Sequence, residues 1–106
     1  SLILWTLLAC GKGGIAGCAN VFPENMVAIY EKFVSGDLEG ARRAQDAIRP
    51  FRNCFRFGNP NTVVKTAVKL LGYPVGDCRA PFNGLSQEGV SALKSTLAEL
   101  TAKGMR

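Results

Sequence analysis

The chain has 106 residues, a net charge of +5, 47% hydrophobic residues and 20% charged residues. This length suits one domain, and the composition excludes an intrinsically disordered protein. The sequence contains no histidine, so the commonest general base is missing and a self-contained hydrolase triad is excluded.

The four cysteines indicate neither a zinc site nor a disulfide framework. They are Cys10, Cys18, Cys54 and Cys78, and no two of them form a C-x-x-C pair. The first three lie in apolar segments, where a free cysteine packs as a small hydrophobe. We therefore predict reduced thiols in a cytoplasmic protein, with no metal ligands.

One group of basic residues shares a helical face. Arg49, Arg52 and Arg56 recur at spacings of three and four residues. Such a stripe is compatible with nucleic-acid binding, but no RNA-binding motif accompanies it. We interpret it as a solvated helix face and expect no nucleic-acid partner.

The amino end is apolar but short. Residues 1–10, SLILWTLLAC, suit a helix that Gly11 ends. The run resembles a lipoprotein cleavage box at Cys10, but it lacks an initiator methionine and a basic region. A membrane span needs about 20 apolar residues, so we expect no membrane attachment. The abrupt start suggests a piece of a longer protein.

Four glycines lie within residues 11–17, followed by other small side chains. Residues 13–18 suit a short buried strand, and a strand needs neighbours for its backbone groups. Either this strand pairs between chains, or the chain is the tail of a larger α/β protein. The second account is the simpler one.

Four helical segments follow this strand. Pro23 suits the first position of the first helix, while Asp37 and Ser86 suit the N-caps of the second and fourth. Pro50 should bend the second helix. Apolar residues recur at helical spacing in these four groups: Met26, Ile29, Tyr30 and Phe33; Leu38, Ala41, Ala44, Ile48, Phe51 and Phe55; Val64, Ala67, Val68 and Leu71; Val90, Leu93, Leu97 and Leu100.

Several segments, in order and at matching intervals, resemble the dihydrodipicolinate synthase / N-acetylneuraminate lyase family. Gly13–Val21 looks like the family's last barrel strand and the loop after it. Ser35–Arg42 is similar to its G-D-x-x-x-A-R junction. Asn59–Lys65 is similar to the family segment that begins with Asn-Pro and ends with Lys. Cys78–Pro81 resembles the R-x-P before the last helix. The resemblance covers essentially the whole chain.

The resemblance implies an α/β fold, a (β/α)8 TIM barrel with a small helical carboxy-terminal domain. Because such a barrel takes about 250 residues, this chain would be its carboxy-terminal third and mostly helical. Residues 1–35 would form the end of the barrel (helix, last strand, helix) and residues 36–106 the helical domain. The implied partners are the amino-terminal part of the barrel and further copies in a homotetramer.

The resemblance also implies chemistry. Family members form a Schiff base between a strand-borne lysine and pyruvate, then react with an aldehyde, without a cofactor. The whole protein would be a class I aldolase type lyase or synthase. Dihydrodipicolinate synthase (4-hydroxy-tetrahydrodipicolinate synthase, lysine biosynthesis) is the leading member, with N-acetylneuraminate lyase or another 2-keto-acid aldolase as the alternative. The lysine lies upstream of the matched region, so we expect no catalytic residue here and an inactive isolated chain.

Three residues are implied to contact substrate: Ile15, Ala16 and Gly17. The residue matching Ile15 turns its main-chain carbonyl toward bound pyruvate, at the barrel face where active sites lie. Gly17 matches a position where sialic-acid-cleaving members carry a sugar-contacting serine, which weakens that substrate assignment. Alternatively, Ala16 and Gly17 are small only because the barrel interior is tight.

A non-enzymatic interpretation remains open, in which a helical module binds a partner through the apolar face around Ile15. In either case the face of Leu2, Ile3, Trp5 and Leu8 should expose apolar surface in the isolated chain. We expect residues 1–20 to be its least protected segment, and the chain to be oligomeric or bound to its missing part.

Overall fold

The computed structural model describes residues 2–106, which form helices joined by loops and no strand. The elements are α1 (Ile3–Leu8), a 3₁₀ turn (Gly17–Asn20), α2 (Pro23–Val34), α3 (Leu38–Ala47), α4 (Arg49–Asn53), a second 3₁₀ turn (Cys54–Phe57), α5 (Pro60–Leu70) and α6 (Gln87–Ala102). They form two compact units: one runs up to Arg49 and includes Arg106, and the other is Pro50–Met105. The boundary predicted between the end of the barrel and the helical domain lies after residue 35, not between Arg49 and Pro50. It stays a prediction.

The predicted helix ends are confirmed. Pro23 begins α2. Asp37 caps α3, its Oδ1 accepting the Gly40 backbone N–H at 2.8 Å. Ser86 caps α6 through its Oγ, which accepts the Gly89 N–H at 3.1 Å. These side chains satisfy backbone donors that have no partner within the helix.

Pro50 interrupts the long apolar stripe as predicted. Helix α3 ends at Ala47 and α4 starts at Arg49, so the two helices meet just before the proline. Proline lacks the N–H that would bond four residues back, and its ring clashes with the carbonyl there.

In the first unit, α2 packs against α1 and α3, and α1 also contacts α3. Two polar contacts fix the register of these helices. The Leu4 N–H donates to Gln45 Oε1 at 3.1 Å, and Asn25 Nδ2 donates to the Ala44 carbonyl at 3.0 Å. The buried apolar side chains are Leu4, Leu7, Cys18, Val21, Phe22, Met26, Ile29, Ala41, Ala44 and Ile48.

In the second unit, α5 packs against α6, and the second 3₁₀ turn contacts both helices. The Phe51 and Phe55 rings meet edge to face with centroids 5.6 Å apart. The buried apolar side chains are Phe51, Cys54, Val63, Ala67, Leu93, Leu97 and Leu100. The predicted inner face of α6 is therefore confirmed at Leu93, Leu97 and Leu100, whereas Val90 is half-buried.

The predicted inner face of α5 is rotated by about one position. Thr62, Val63 and Ala67 are buried, whereas Val64 is half-buried and Leu71 is exposed. Adjacent residues on a helix differ by about 100° in direction. Either Val63 or Val64 could lie on the buried face without changing the helical periodicity. Packing against α6 therefore decides that Val63 is the buried one.

None of the four cysteines forms a disulfide within residues 2–106, and their reduced state stays a prediction. Cys18 and Cys54 are buried, but the expectation that Cys10 packs in an apolar environment is wrong, because its side chain is exposed. Cys10 lies beyond the end of α1 with a φ of 63°, where the chain turns away from the core. No helix within residues 2–106 has both the length and the apolar character to span a bilayer.

Candidate active site

The predicted strand at residues 13–18 does not form. Residues 11–16 are irregular, and the 3₁₀ turn begins at Gly17. A strand requires a neighbouring extended segment for its backbone N–H and C=O groups. Residues 2–106 offer no such neighbour, so the small residues form a loop instead.

A close backbone approach explains the first glycine of this loop. The Gly11 N–H donates to the Thr6 carbonyl at 2.8 Å. A Cβ on Gly11 would lie 2.7 Å from that carbonyl oxygen and 2.4 Å from Thr6 Cγ2. No residue with a side chain fits without movement, so glycine sets the direction in which the chain leaves α1.

The three residues implied to contact substrate lie together where this loop meets the 3₁₀ turn, and their carbonyls have different hydrogen-bond partners. The Ala16 carbonyl accepts the Ala19 N–H at 3.0 Å, and the Gly17 carbonyl accepts Asn20 Nδ2 at 3.1 Å. Within residues 2–106, no hydrogen bond reaches the carbonyl of Ile15, and its side chain is fully exposed. Of the three carbonyls, that of Ile15 is therefore the one left for an external donor.

Three of the six lysines have carboxylate partners. Lys32 Nζ lies 3.5 Å from Asp37, Lys69 Nζ lies 3.0 Å from Asp77, and Lys103 Nζ lies 2.6 Å from Glu99. Each of these three ammonium groups is therefore engaged in an ion pair.

The other three lysines have no ion pair within the described residues. Lys12 and Lys94 are exposed, and Lys65 is half-buried on α5. The prediction that the imine-forming lysine lies outside this chain stays a prediction. No group of three or more Cys, Asp and Glu side chains in residues 2–106 could hold a metal ion together.

Sequence reasoning missed a cleft in the second unit. Its volume is about 230 Å³, and it lies between α5 and the loop of residues 73–85. Its walls include Thr62, Lys65, Thr66, Cys78, Phe82 and Asn83. The only sequence signals were the motif lysine at Lys65 and a glycine- and proline-rich loop, and neither specifies a cleft.

Solved structures resemble this chain along most of its length. Dihydrodipicolinate synthase from Thermotoga maritima matches with a TM-score of 0.87 and 29% identity, over 94% of this chain and 34% of that one. A prophage protein of the dihydrodipicolinic acid synthase family from E. coli K12, solved with pyruvate, matches with a TM-score of 0.83 and 25% identity, over 94% and 34% of the two chains.

Sequence comparison agrees with the structural one. The 4-hydroxy-tetrahydrodipicolinate synthase of Archaeoglobus fulgidus is 35% identical over 99 residues, which are 93% of this chain and 34% of that protein. The chain thus spans about a third of the length of the relatives it matches. The sequence profile of the Dihydrodipicolinate synthetase family matches residues 1–100. This chain belongs to the Dihydrodipicolinate synthetase family.

Proposed function

We propose that this chain is the carboxy-terminal third of a pyruvate-dependent lyase or synthase that works through a Schiff base, most similar to dihydrodipicolinate synthase. The observation that carries the proposal is the match of nearly all of this chain to about a third of the Thermotoga maritima synthase. Residues 1–35 would complete a TIM barrel, and residues 36–106 would form the helical domain attached to it. The assembled protein would be a homo-oligomer of the cytoplasm.

Exposed apolar side chains on α1 support an incomplete barrel. Leu2 is 70% exposed and Trp5 is 65% exposed, and Leu8 and Ile15 also face solvent. The sequence predicted this exposure for the face of α1. In the proposed barrel these side chains would lie against the amino-terminal part, which removes their apolar surface from water.

The exposed Ile15 carbonyl suggests how this chain contributes to the site. In the proposed reaction a neutral lysine amine attacks the pyruvate keto carbon, one proton is taken up from solvent, water leaves, and a protonated imine forms. The Ile15 carbonyl would face the bound pyruvyl group and accept a hydrogen bond there. Because this acceptor is a main-chain atom, side-chain changes at Ile15 should alter pyruvate affinity less than changes that move the backbone.

Reductive trapping tests the proposal. The whole protein and the isolated 106-residue chain are each incubated with pyruvate and borohydride, which converts the imine to a stable secondary amine. We expect one pyruvyl group on the whole protein, on a lysine outside this chain, and none on the isolated chain. A Lys65→Gln variant of the whole protein should be trapped equally well. Trapping on Lys65, or on any other lysine of this chain, would refute the proposed division of the site.

The absence of a side chain at Gly17 favours the synthase over the sialic-acid lyase. A serine that contacts the sugar is implied at this position in the lyases, and glycine has no hydroxyl to donate or accept. Incubation of the whole protein with N-acetylneuraminate should therefore release no pyruvate above background. Release at a rate comparable to the imine-forming step would make the lyase the better assignment.

A further inference from the structure

The cleft between α5 and the loop of residues 73–85 has the chemistry of an anion site. Lys65, Thr66 and Asn83 line it, and their side chains end in an ammonium, a hydroxyl and an amide group. All three groups can donate hydrogen bonds. The Phe82 ring lines the same space and offers an apolar surface. The cleft therefore combines one positive charge, neutral donors and an aromatic wall.

The charge of Lys65 is not neutralised within the described part of the chain. Lys65 is half-buried and has no carboxylate within ion-pair distance there. The one carboxylate on the cleft wall, Asp77, is paired with Lys69 at 3.0 Å, and its side chain is 88% exposed. Asp77 is therefore balanced by another cation and directed to solvent. An anion in the cleft meets one uncompensated positive charge.

A buried hydroxyl beside the cleft lacks a partner. Thr62 is 3% exposed and lines the cleft. Its Oγ1 is buried and makes no hydrogen bond within residues 2–106. Buried hydroxyls are normally hydrogen-bonded, and an unpaired one is unfavourable. Because this oxygen is covered from solvent, a ligand in the cleft would reach it only after the wall around Thr62 shifts.

From these features we infer that the cleft is a binding site for a small organic carboxylate, distinct from the proposed pyruvate site. A single cation matches the single charge of a carboxylate better than the double charge of a phosphate. Thr66 and Asn83 add donors to its oxygens, and Phe82 covers its apolar body. The volume of about 230 Å³ limits the ligand to one small ring with a few further atoms attached.

Cys78 reports occupancy of this site. Its thiol is free, half-buried and on the cleft wall, whereas Cys10 is free and exposed on another part of the chain. The 106-residue chain is alkylated with iodoacetamide, a neutral reagent, at constant ionic strength with benzoate as the probe. Trypsin then gives separate peptides for the two cysteines, residues 70–79 and residues 1–12. Their alkylation rates are compared in the same sample by mass spectrometry.

At a benzoate concentration of twice its dissociation constant, one third of the sites are free, so the Cys78 rate should fall about threefold. Cys10 should not change. Benzamide, which has the same shape without the charge, should protect neither cysteine. For a ligand of this size we expect a dissociation constant on the order of 1 mM. Benzoate should also raise the thermal midpoint of the chain, and that second readout does not depend on thiol reactivity.

Matched variants separate the site from general charge effects. Lys65→Gln should abolish protection and the thermal shift, and Lys65→Arg should keep both. Lys94→Gln removes an equal charge from an exposed position of α6 and should leave both unchanged. Any one of four results would overturn the inference. Protection could persist in Lys65→Gln, benzamide could protect as well as benzoate, inorganic phosphate alone could protect, or neither readout could respond to benzoate. Benzoate has no ketone and forms no imine, so the result is independent of the pyruvate proposal.

Discussion

Gly11→Ala tests whether the close approach to Thr6 sets the path of the loop that carries Ile15. The added methyl group would lie 2.7 Å from the Thr6 carbonyl oxygen and 2.4 Å from Thr6 Cγ2. Both separations are well below van der Waals contact, and one of the two atoms belongs to the backbone. The backbone must therefore shift, and the hydrogen bond from the Gly11 N–H to Thr6 must weaken.

The expected cost comes from two opposing terms. Forcing a methyl group into a packed position costs about 1–3 kcal/mol. Replacing glycine by alanine also restricts the unfolded chain, which stabilises the folded state by about 0.4–1 kcal/mol. The steric term is larger, so we expect Gly11→Ala to lower the free energy of unfolding by roughly 1–2 kcal/mol. For a domain of about this size that corresponds to a fall in Tm of roughly 5–10 °C.

Urea unfolding measures this change. The fluorescence of Trp5, the single tryptophan, reports on α1, and circular dichroism reports on all the helices. Gly84→Ala is the control, because its Cβ would meet nothing within 4 Å, and it should be neutral or slightly stabilising. Adding Thr6→Ser to Gly11→Ala removes the Cγ2 contact but leaves the carbonyl contact, so recovery should be partial. If Gly11→Ala were as stable as Gly84→Ala, or if Thr6→Ser restored stability fully, the backbone argument would be refuted.

Three further predictions concern the core, pH and protection. Leu93→Ala should lower the unfolding free energy by roughly 3 kcal/mol because Leu93 is 0% exposed. Leu70→Ala, at a position 37% exposed, should cost less than about 1 kcal/mol, and equal costs in urea titrations would contradict the observed core. The Gly40 N–H, with help from Lys32, lowers the pKa of the Asp37 carboxyl below its ordinary value of 3.8. Its contribution to stability is therefore fully present above pH 3.8 and lost as pH falls through the lower folded pKa. Acid titrations should show a steeper loss below pH 3.8 in wild type than in Asp37→Asn, and parallel curves would count against this linkage. Hydrogen exchange of the monomeric chain should be fast at residues 13–17, whose N–H groups have no backbone partner in the described structure; strong protection there would contradict the loop.

Local signals in the sequence were sufficient to predict the helices and the residues at which they begin and end. Pro23, Asp37 and Ser86 act through their own backbone geometry or through N–H groups three residues away, so their roles follow from nearby residues alone. The same holds for the interruption at Pro50. The family, too, followed from short motifs at matching intervals, since order and spacing are properties of the sequence.

The tertiary structure decided those features that depend on contacts between residues far apart in the sequence. Residues 13–18 have the composition of a buried strand, but a strand exists only where another extended segment completes its hydrogen bonds, and residues 2–106 contain none. The choice of Val63 over Val64 for the inner face of α5 was made by packing against α6, because periodicity alone leaves a helix free to rotate by one residue. The cleft around Lys65 depends on how the loop of residues 73–85 folds back onto α5, which no local pattern encodes. The sequence alone thus determined the family and the helices with their caps, while non-local packing decided which face is buried, which segment stays a loop and where the cleft lies.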